Sequence, residues 1–281
     1  RSESMLSDEH ARAVNGTARL GLDADGNFTG LWVEAKVDTG AYLSRRTKGL
    51  VNNIGGIAGQ YKTPAIATEI TFYFTHTMQT SPYRGAGRPE ATYIIERLID
   101  QAARETGRDP LALRQQNLIP AAAMPYQTAL TFNYDCGDFP RVVAEASKRA
   151  DYAGFAARRR DSESRGMLRG IGISNPIEVA GGPLRMLRKD VARLTAKPDG
   201  SISLSPGLMS VGQGHETALA RMASDRLGVD IDRITYHQGD TDLLPSGRGS
   251  GGSAATVIGG AAVHLALDEL TFEFGQWSAG P

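Results

Sequence analysis

The chain of 281 residues is 41% hydrophobic and carries 31 basic against 31 acidic side chains, a formal net charge of zero. This composition is globular, supports one large or two medium domains, and excludes a strongly charged partner such as nucleic acid or an anionic membrane surface. A single cysteine, Cys136, excludes an internal disulfide and cysteine ligation of an iron-sulfur cluster within the chain, and fits a reducing, cytoplasmic compartment; no run of about 18 apolar residues is evident to span a bilayer.

The predicted elements begin with a hairpin: strand 17–22, a turn over Asp23-Ala24-Asp25-Gly26-Asn27, and a returning strand from Phe28 to Val37. Ile66, Thr68, Ile70, Phe72 and Phe74 then alternate with Ala67, Glu69, Thr71, Tyr73 and Thr75, the period of a strand with one apolar face. Ile94, Ile95, Leu98, Ile99, Ala102 and Ala103 follow helical spacing, which predicts a helix from Pro89 to Thr106 that stops at Gly107. A further helix is predicted over 139–150. The arginine-rich stretch from Arg158 to Gly166 lacks apolar periodicity and reads as a link between two halves. Beyond it come a strand over 170–179, a second hairpin from Leu187 to Leu208 turning at Pro198-Asp199-Gly200, a helix from His215 to Leu227 and another from Ser253 to Leu270. The recurring hairpin is a weak internal repeat. Mixed strands and helices give an α+β class built as two mixed α/β modules, residues 1–120 and 170–281, with a connecting segment at 121–169 that carries a helix.

Three glycine-rich turns open directly onto helices: Gly85-Ala86-Gly87-Arg88-Pro89, Gly212-Gln213-Gly214-His215 and Gly249-Ser250-Gly251-Gly252-Ser253. Helix starts offer unpaired N–H groups and a partial positive charge, and glycine lets backbone approach a ligand closely. One such turn is more often ordinary chain geometry; three of them point to a phosphate-bearing ligand. No G-x-G-x-x-G follows a first strand and no G-x-x-x-x-G-K-[ST] occurs, so the Rossmann and P-loop modes are disfavoured. His10, His76, His215, His237 and His264 show no paired metal-ligand spacing, and Asp240 and Asp242 read as turn residues, so no protein-ligated metal is expected.

The run from Ser81 to Ala91 resembles the active-site loop of the molybdenum hydroxylase large subunits of the xanthine dehydrogenase and aldehyde oxidase family. Val211 to Thr217, Gly239-Asp240-Thr241-Asp242 and Gly247 to Ser253 match that family's later cofactor loops in order and spacing, and the similarity extends to Arg1-Ser2-Glu3 and to Asp109 through Leu118. It is nearest to carbon monoxide dehydrogenase large subunits, although Gly85 stands where those carry a copper-binding cysteine. The resemblance implies a molybdopterin cofactor, the cytosine dinucleotide form included. Tyr83, Arg84, Gly85 and Ala86 would lie beside the metal, Gly212, Gln213 and Gly214 against the pterin, and Gly251, Gly252, Ser253 and Ala254 around the pyrophosphate or nucleotide end.

The implied activity is oxidation of an aldehyde or N-heterocycle with oxygen derived from water. Electrons would leave through iron-sulfur and FAD groups borne by partner subunits. The family's upstream G-G-G-F-G-type loop and its glutamate-bearing G-E-x-G element do not occur in these residues. The general base is therefore expected outside the chain, on a companion chain or on the remainder of the same subunit, and the chain is expected to be an incomplete catalytic unit. Two other readings of the loops stay open: a phosphate- or nucleotide-binding module, and a non-catalytic assembly subunit that docks to a catalytic partner.

Overall fold

The structure is a computed structural model that describes residues 2–44, 55–178, 180 and 189–278, with side chains to residue 272. Two compact units divide at Glu178/Val179.

In the first unit a short helix α1 (Ser2–Ser7) precedes a three-stranded sheet of β1 (Val14–Leu22), β2 (Phe28–Asp38) and β3 (Ile66–Tyr73). β1 and β2 form the expected hairpin, with Asp23 Oδ1 accepting the Asn27 amide to shape the turn. β3 joins β2 in parallel, Leu31 opposite Ile66 through Asp38 opposite Tyr73. Its side chains alternate as predicted, but the ladder ends at Tyr73, and Phe74 lies beyond it, largely exposed. Phe28, Leu31, Val33, Ala35 and Val37 of β2 are buried, several of them against α2 (Arg88–Thr106), which inserts Ala91, Ile95, Ile99, Ala102 and Ala103 at helical spacing. Left-handed Gly87 and Gly107 bracket this helix, and Pro in its first turn needs no amide partner.

α3 (Pro110–Asn117), capped by the Asp109 carboxylate on the Ala112 amide, carries a fully buried arginine. Arg114 bonds Glu96 Oε2 at 2.8 Å and Asp100 Oδ1 at 2.8 Å, while the Tyr61 hydroxyl donates to Glu96 Oε1 at 2.7 Å. Burial of these charges is tolerable because nearly every donor finds an acceptor. A two-stranded ribbon of β4 (Tyr126–Gln127) and β5 (Asn133–Tyr134) leads to α4 (Phe139–Arg149) and α5 (Phe155–Ser164).

The arginine-rich segment is helical: α5 covers most of it, stabilised by exposed Arg159–Glu163 and Arg165–Asp161 pairs four residues apart rather than by an apolar stripe. One expectation fails: residues 170–178 form no strand. They run without ladder partners, held instead by Arg114 on Ile173 O, Gln60 on Pro176 O at 2.8 Å and Asn175 on the Tyr61 hydroxyl at 3.0 Å. Pro176 lacks an amide, and Gly170 and Gly172 favour no strand. These contacts belong to the first unit, which extends to Glu178.

In the second unit β6 (Ala192–Ala196) and β7 (Ile202–Pro206) make the second hairpin, shorter than predicted; its expected start at Leu187 lies outside the described residues. β8 (Ile234–Tyr236) adds in parallel to β7 after α6 (His215–Leu227), which has the predicted bounds. Both units thus share a hairpin followed by a parallel third strand. The last helix enters through a π-helical turn at Ala255–Gly259, then continues as α7 (Gly260–Ser278), later in start and end than expected. Gly259 sits where a Cβ would strike the Leu208 side chain at 2.4 Å, so the entry needs glycine for packing. The window Ala255–Phe272 reaches a mean hydropathy of 1.2, although Asp268 and Glu269 interrupt its apolar run. Its Val263 and Leu267 are buried with Leu204, Leu208 and Leu219, and its Asp268 pairs with Arg226 of α6 at 2.7 Å. Part of the helix thus packs on this unit's core, while Val257, Leu265 and Phe272 stay exposed.

Candidate cofactor site

The first loop, in the first unit, joins the sheet to α2. From Arg84 to Gly87 four consecutive residues have positive φ, at 24°, 99°, 48° and 98°. For Arg84 and Ala86 that is strained backbone, which persists only where the surroundings hold it. The Ala86 amide donates to Tyr83 O and the Arg88 amide to Gly85 O, two successive tight turns. Any side chain at Gly85 would meet Pro89 Cδ at 2.7 Å. Tyr83 is 54% exposed, and two guanidinium groups lie over its ring, Arg12 at 5.4 Å and Arg84 at 5.3 Å from its centroid.

The second and third loops lie in the second unit, where they are linked. Gly212 (φ 111°) and Gly214 (φ 76°) flank Gln213, whose Oε1 accepts the Val211 amide and closes the loop on itself. Gln238 clamps the loop's other side, accepting the Ser210 amide at 2.8 Å and donating to Ser210 O at 3.2 Å. Gly214 is the N-cap of α6 and no side chain caps it, so the first-turn amides of a 13-residue helix receive no side-chain acceptor there. His215, buried at the helix start, brings Nδ1 to 3.4 Å from Ser250 Oγ in the third loop.

Gly249, Gly252 and Ser253 all have positive φ, at 70°, 63° and 53°, while Ala254 is buried behind them. The Gly249 amide donates to Gly207 O at 2.9 Å, and Gly207 and Gly247 meet so closely that a Cβ on either would clash with the other's backbone. Asp190 Oδ1 accepts the Arg248 amide at 3.2 Å and fixes the loop's base. Next to these loops lies a cleft of about 310 Å³ lined by Met209, His237, Gln238, Asp240, Thr241 and Leu243 among others. Asp240 Oδ1 accepts the Asp242 amide, as a turn residue should. Burial, with Glu216 nearby, raises the Tyr236 hydroxyl above its ordinary value, and that hydroxyl has no partner.

The predicted residues thus fall into two groups, Tyr83 to Ala86 in one unit and Gly212 to Gly214 with Gly251 to Ala254 in the other. Sequence reasoning passed over Arg12, Asp190, Gly207 and Gln238. Only the glycine carried a local signal, since the others act through partners 28 to 72 residues away.

The donor set can be tested against a phosphate-bearing ligand. A Cβ added to Gly212, Gly214, Gly249 or Gly251 would meet nothing within 4 Å, so these backbones face open space that a ligand can occupy. Left-handed turns and an uncapped helix start stand there, and helix-start amides are the donors that phosphate and a polar pterin edge require. Among the described residues no group of three His, Cys, Asp or Glu could hold a metal ion. The residues of these loops fit a phosphate-bearing ligand.

Family models described as molybdopterin cofactor-binding domain match residues 1–118 and 145–279. The chain is 31% identical over 274 residues to the 6-hydroxypseudooxynicotine dehydrogenase complex subunit gamma of Paenarthrobacter nicotinovorans, covering 95% of this chain and 34% of that protein. It is 31% identical to the carbon monoxide dehydrogenase large chain of Hydrogenophaga pseudoflava, covering 96% and 35%. The quinoline 2-oxidoreductase of Pseudomonas putida 86 superposes with a TM-score of 0.82 at 29% identity, over 95% of this chain and 35% of that one. The chain spans about a third of the length of the curated relatives it matches. With both models matched in series along the chain, it belongs to the molybdopterin-binding large subunits of the xanthine dehydrogenase family.

Proposed function

We propose that the chain forms the molybdopterin-binding part of a molybdenum hydroxylase that oxidises an aldehyde or N-heterocycle. The observation that carries this reading is the pair of linked glycine loops in the second unit, whose left-handed glycines face open space beside an uncapped helix start. When bound, the cofactor supplies the two-electron redox step. The chain's own residues bind and orient it: amides at Gly212, Gly214, Gly251 and Gly252, with Ser253 and Ala254, suit the phosphate and pterin edges, and Gln213 sets the second loop's shape. Tyr83, Arg84, Gly85 and Ala86 form the wall of the reacting centre. Gly85 stands where carbon monoxide dehydrogenase large subunits carry a copper-binding cysteine, which argues against carbon monoxide as substrate.

The general-base glutamate lies outside these residues in this proposal, and iron-sulfur and FAD groups on partner subunits take the electrons. The cytosine dinucleotide is the proposed nucleotide form. Cys136, exposed and single, suits the reducing cytoplasm. The test is metal and pterin analysis of the protein purified with its partners, followed by a panel of aldehydes and N-heterocycles with an artificial electron acceptor. Molybdenum and pterin in equal amounts, with released cytidine nucleotide and turnover on the panel, are expected. Tight nucleotide without molybdenum would replace this reading with that of a nucleotide-binding module.

A further inference from the structure

We infer that Arg12, far from the glycine loops in sequence, is a positioning residue that holds the Tyr83–Ala86 loop in its strained form; this rests on the reading of that loop as a wall of the cofactor site.

Three observations carry it. Arg12 Nη2 donates to Arg84 O at 2.6 Å, a charge-assisted bond to the first residue of the positive-φ run. The same guanidinium lies 5.4 Å from the centre of the Tyr83 ring, so one group contacts both the backbone and the ring of the loop. Arg12 is itself at φ 65°, an uncommon backbone for a residue with a side chain.

The chain on either side of Arg12 is pinned to the same region. The His10 amide donates to Gln79 O and the Ser81 amide to His10 O, and Asp38 donates to Ala13 O. Residues 10–13 therefore run alongside 79–84, and Arg12 reaches across from a supported segment to a strained one. Backbone at Arg84, Gly85, Ala86 and Gly87 departs from ordinary helix and strand geometry at every step, and the two turn bonds inside the loop close only its chord. An external clamp is what such a segment needs. A planar guanidinium can stack and donate together; an ammonium can donate but stacks poorly.

The test compares the complete subunit with its partners in wild-type, Arg12→Gln and Arg12→Lys forms. Hydrogen exchange of the amides at 83–88 is read beside exchange over the rest of the unit, molybdenum and pterin content, and the electron paramagnetic resonance signal of the reduced metal. In Arg12→Gln, exchange at 83–88 is expected to rise about tenfold, with the rest of the unit unchanged. The metal signal should broaden or shift. Arg12→Lys should recover part of the protection. Unchanged exchange at 83–88 in Arg12→Gln overturns the inference, as does a rise spread evenly over the unit, which would make Arg12 an ordinary fold residue. Wild-type protein free of molybdenum would instead overturn the reading of the site, while the exchange data still judge the clamp.

Discussion

His215 Nδ1 stands 3.4 Å from Ser250 Oγ, so the residue that opens the helix after the second glycine loop touches the middle of the third. The loops are thereby tied by a polar contact at the floor of the proposed site. Ser250→Ala should leave the stability of the second unit within about 1 kcal/mol of wild type, because a long hydrogen bond is worth little. Molybdopterin content should nevertheless fall, since the two loops lose their common register. Urea unfolding and pterin fluorescence measure the two effects; unaltered pterin content would show that the loops bind independently.

Gly214 separates packing from binding. At φ 76° with nothing within 4 Å of an added Cβ, Gly214→Ala meets no clash and costs only the left-handed backbone penalty of about 1–2 kcal/mol. The expected product is folded protein with little cofactor. Gln213→Ala should lower cofactor content as well, because the Val211 amide loses its acceptor. Full molybdenum content in both variants would remove this loop from the site.

In the first unit the Arg114–Glu96 pair is fully desolvated. Arg114→Met leaves the Glu96 carboxylate buried without its cation and should destabilise the unit by about 3–5 kcal/mol. Pairing that change with Glu96→Leu should restore part of the loss, because the remaining group is then apolar. Chemical denaturation of the three variants tests this, and a loss below about 1 kcal/mol in Arg114→Met would mean that water reaches the pair.

Alkaline pH should weaken the same unit. Burial raises the Tyr61 and Tyr134 hydroxyls above the ordinary value of 10.0, with Glu96 adding to the effect at Tyr61. A raised folded-state pKa gives stability that is intact below about pH 10 and is lost as pH climbs from there, by up to about 1.4 kcal/mol per pH unit for each tyrosine. Tyr134 donates to Gly59 O, so Tyr134→Phe lowers stability at neutral pH but should flatten the decline above pH 10. Denaturation between pH 8 and 11 reads both; equal slopes would exclude Tyr134 as a contributor.

The sequence by itself determined the elements whose cause is local. Apolar spacing marked α2, the Asp-Gly turns marked both hairpins, and glycine before an amphipathic run marked the start of α6. The glycine loops were visible for the same reason, since positive φ is a property of a residue and its neighbours. The helix in the arginine-rich segment left no trace because helices without an apolar stripe have no apolar period, and the strand expected over 170–179 failed because local propensity says nothing of whether a ladder partner exists. Only the tertiary structure decided which distant groups serve the loops. Arg12 lies 72 residues from Arg84, Gln238 lies 28 from Ser210, and Asp190 lies 58 from Arg248. Each is an ordinary polar residue in its own stretch of chain, and it acquires its role from chain folding that brings a donor to a carbonyl or a carboxylate to an amide.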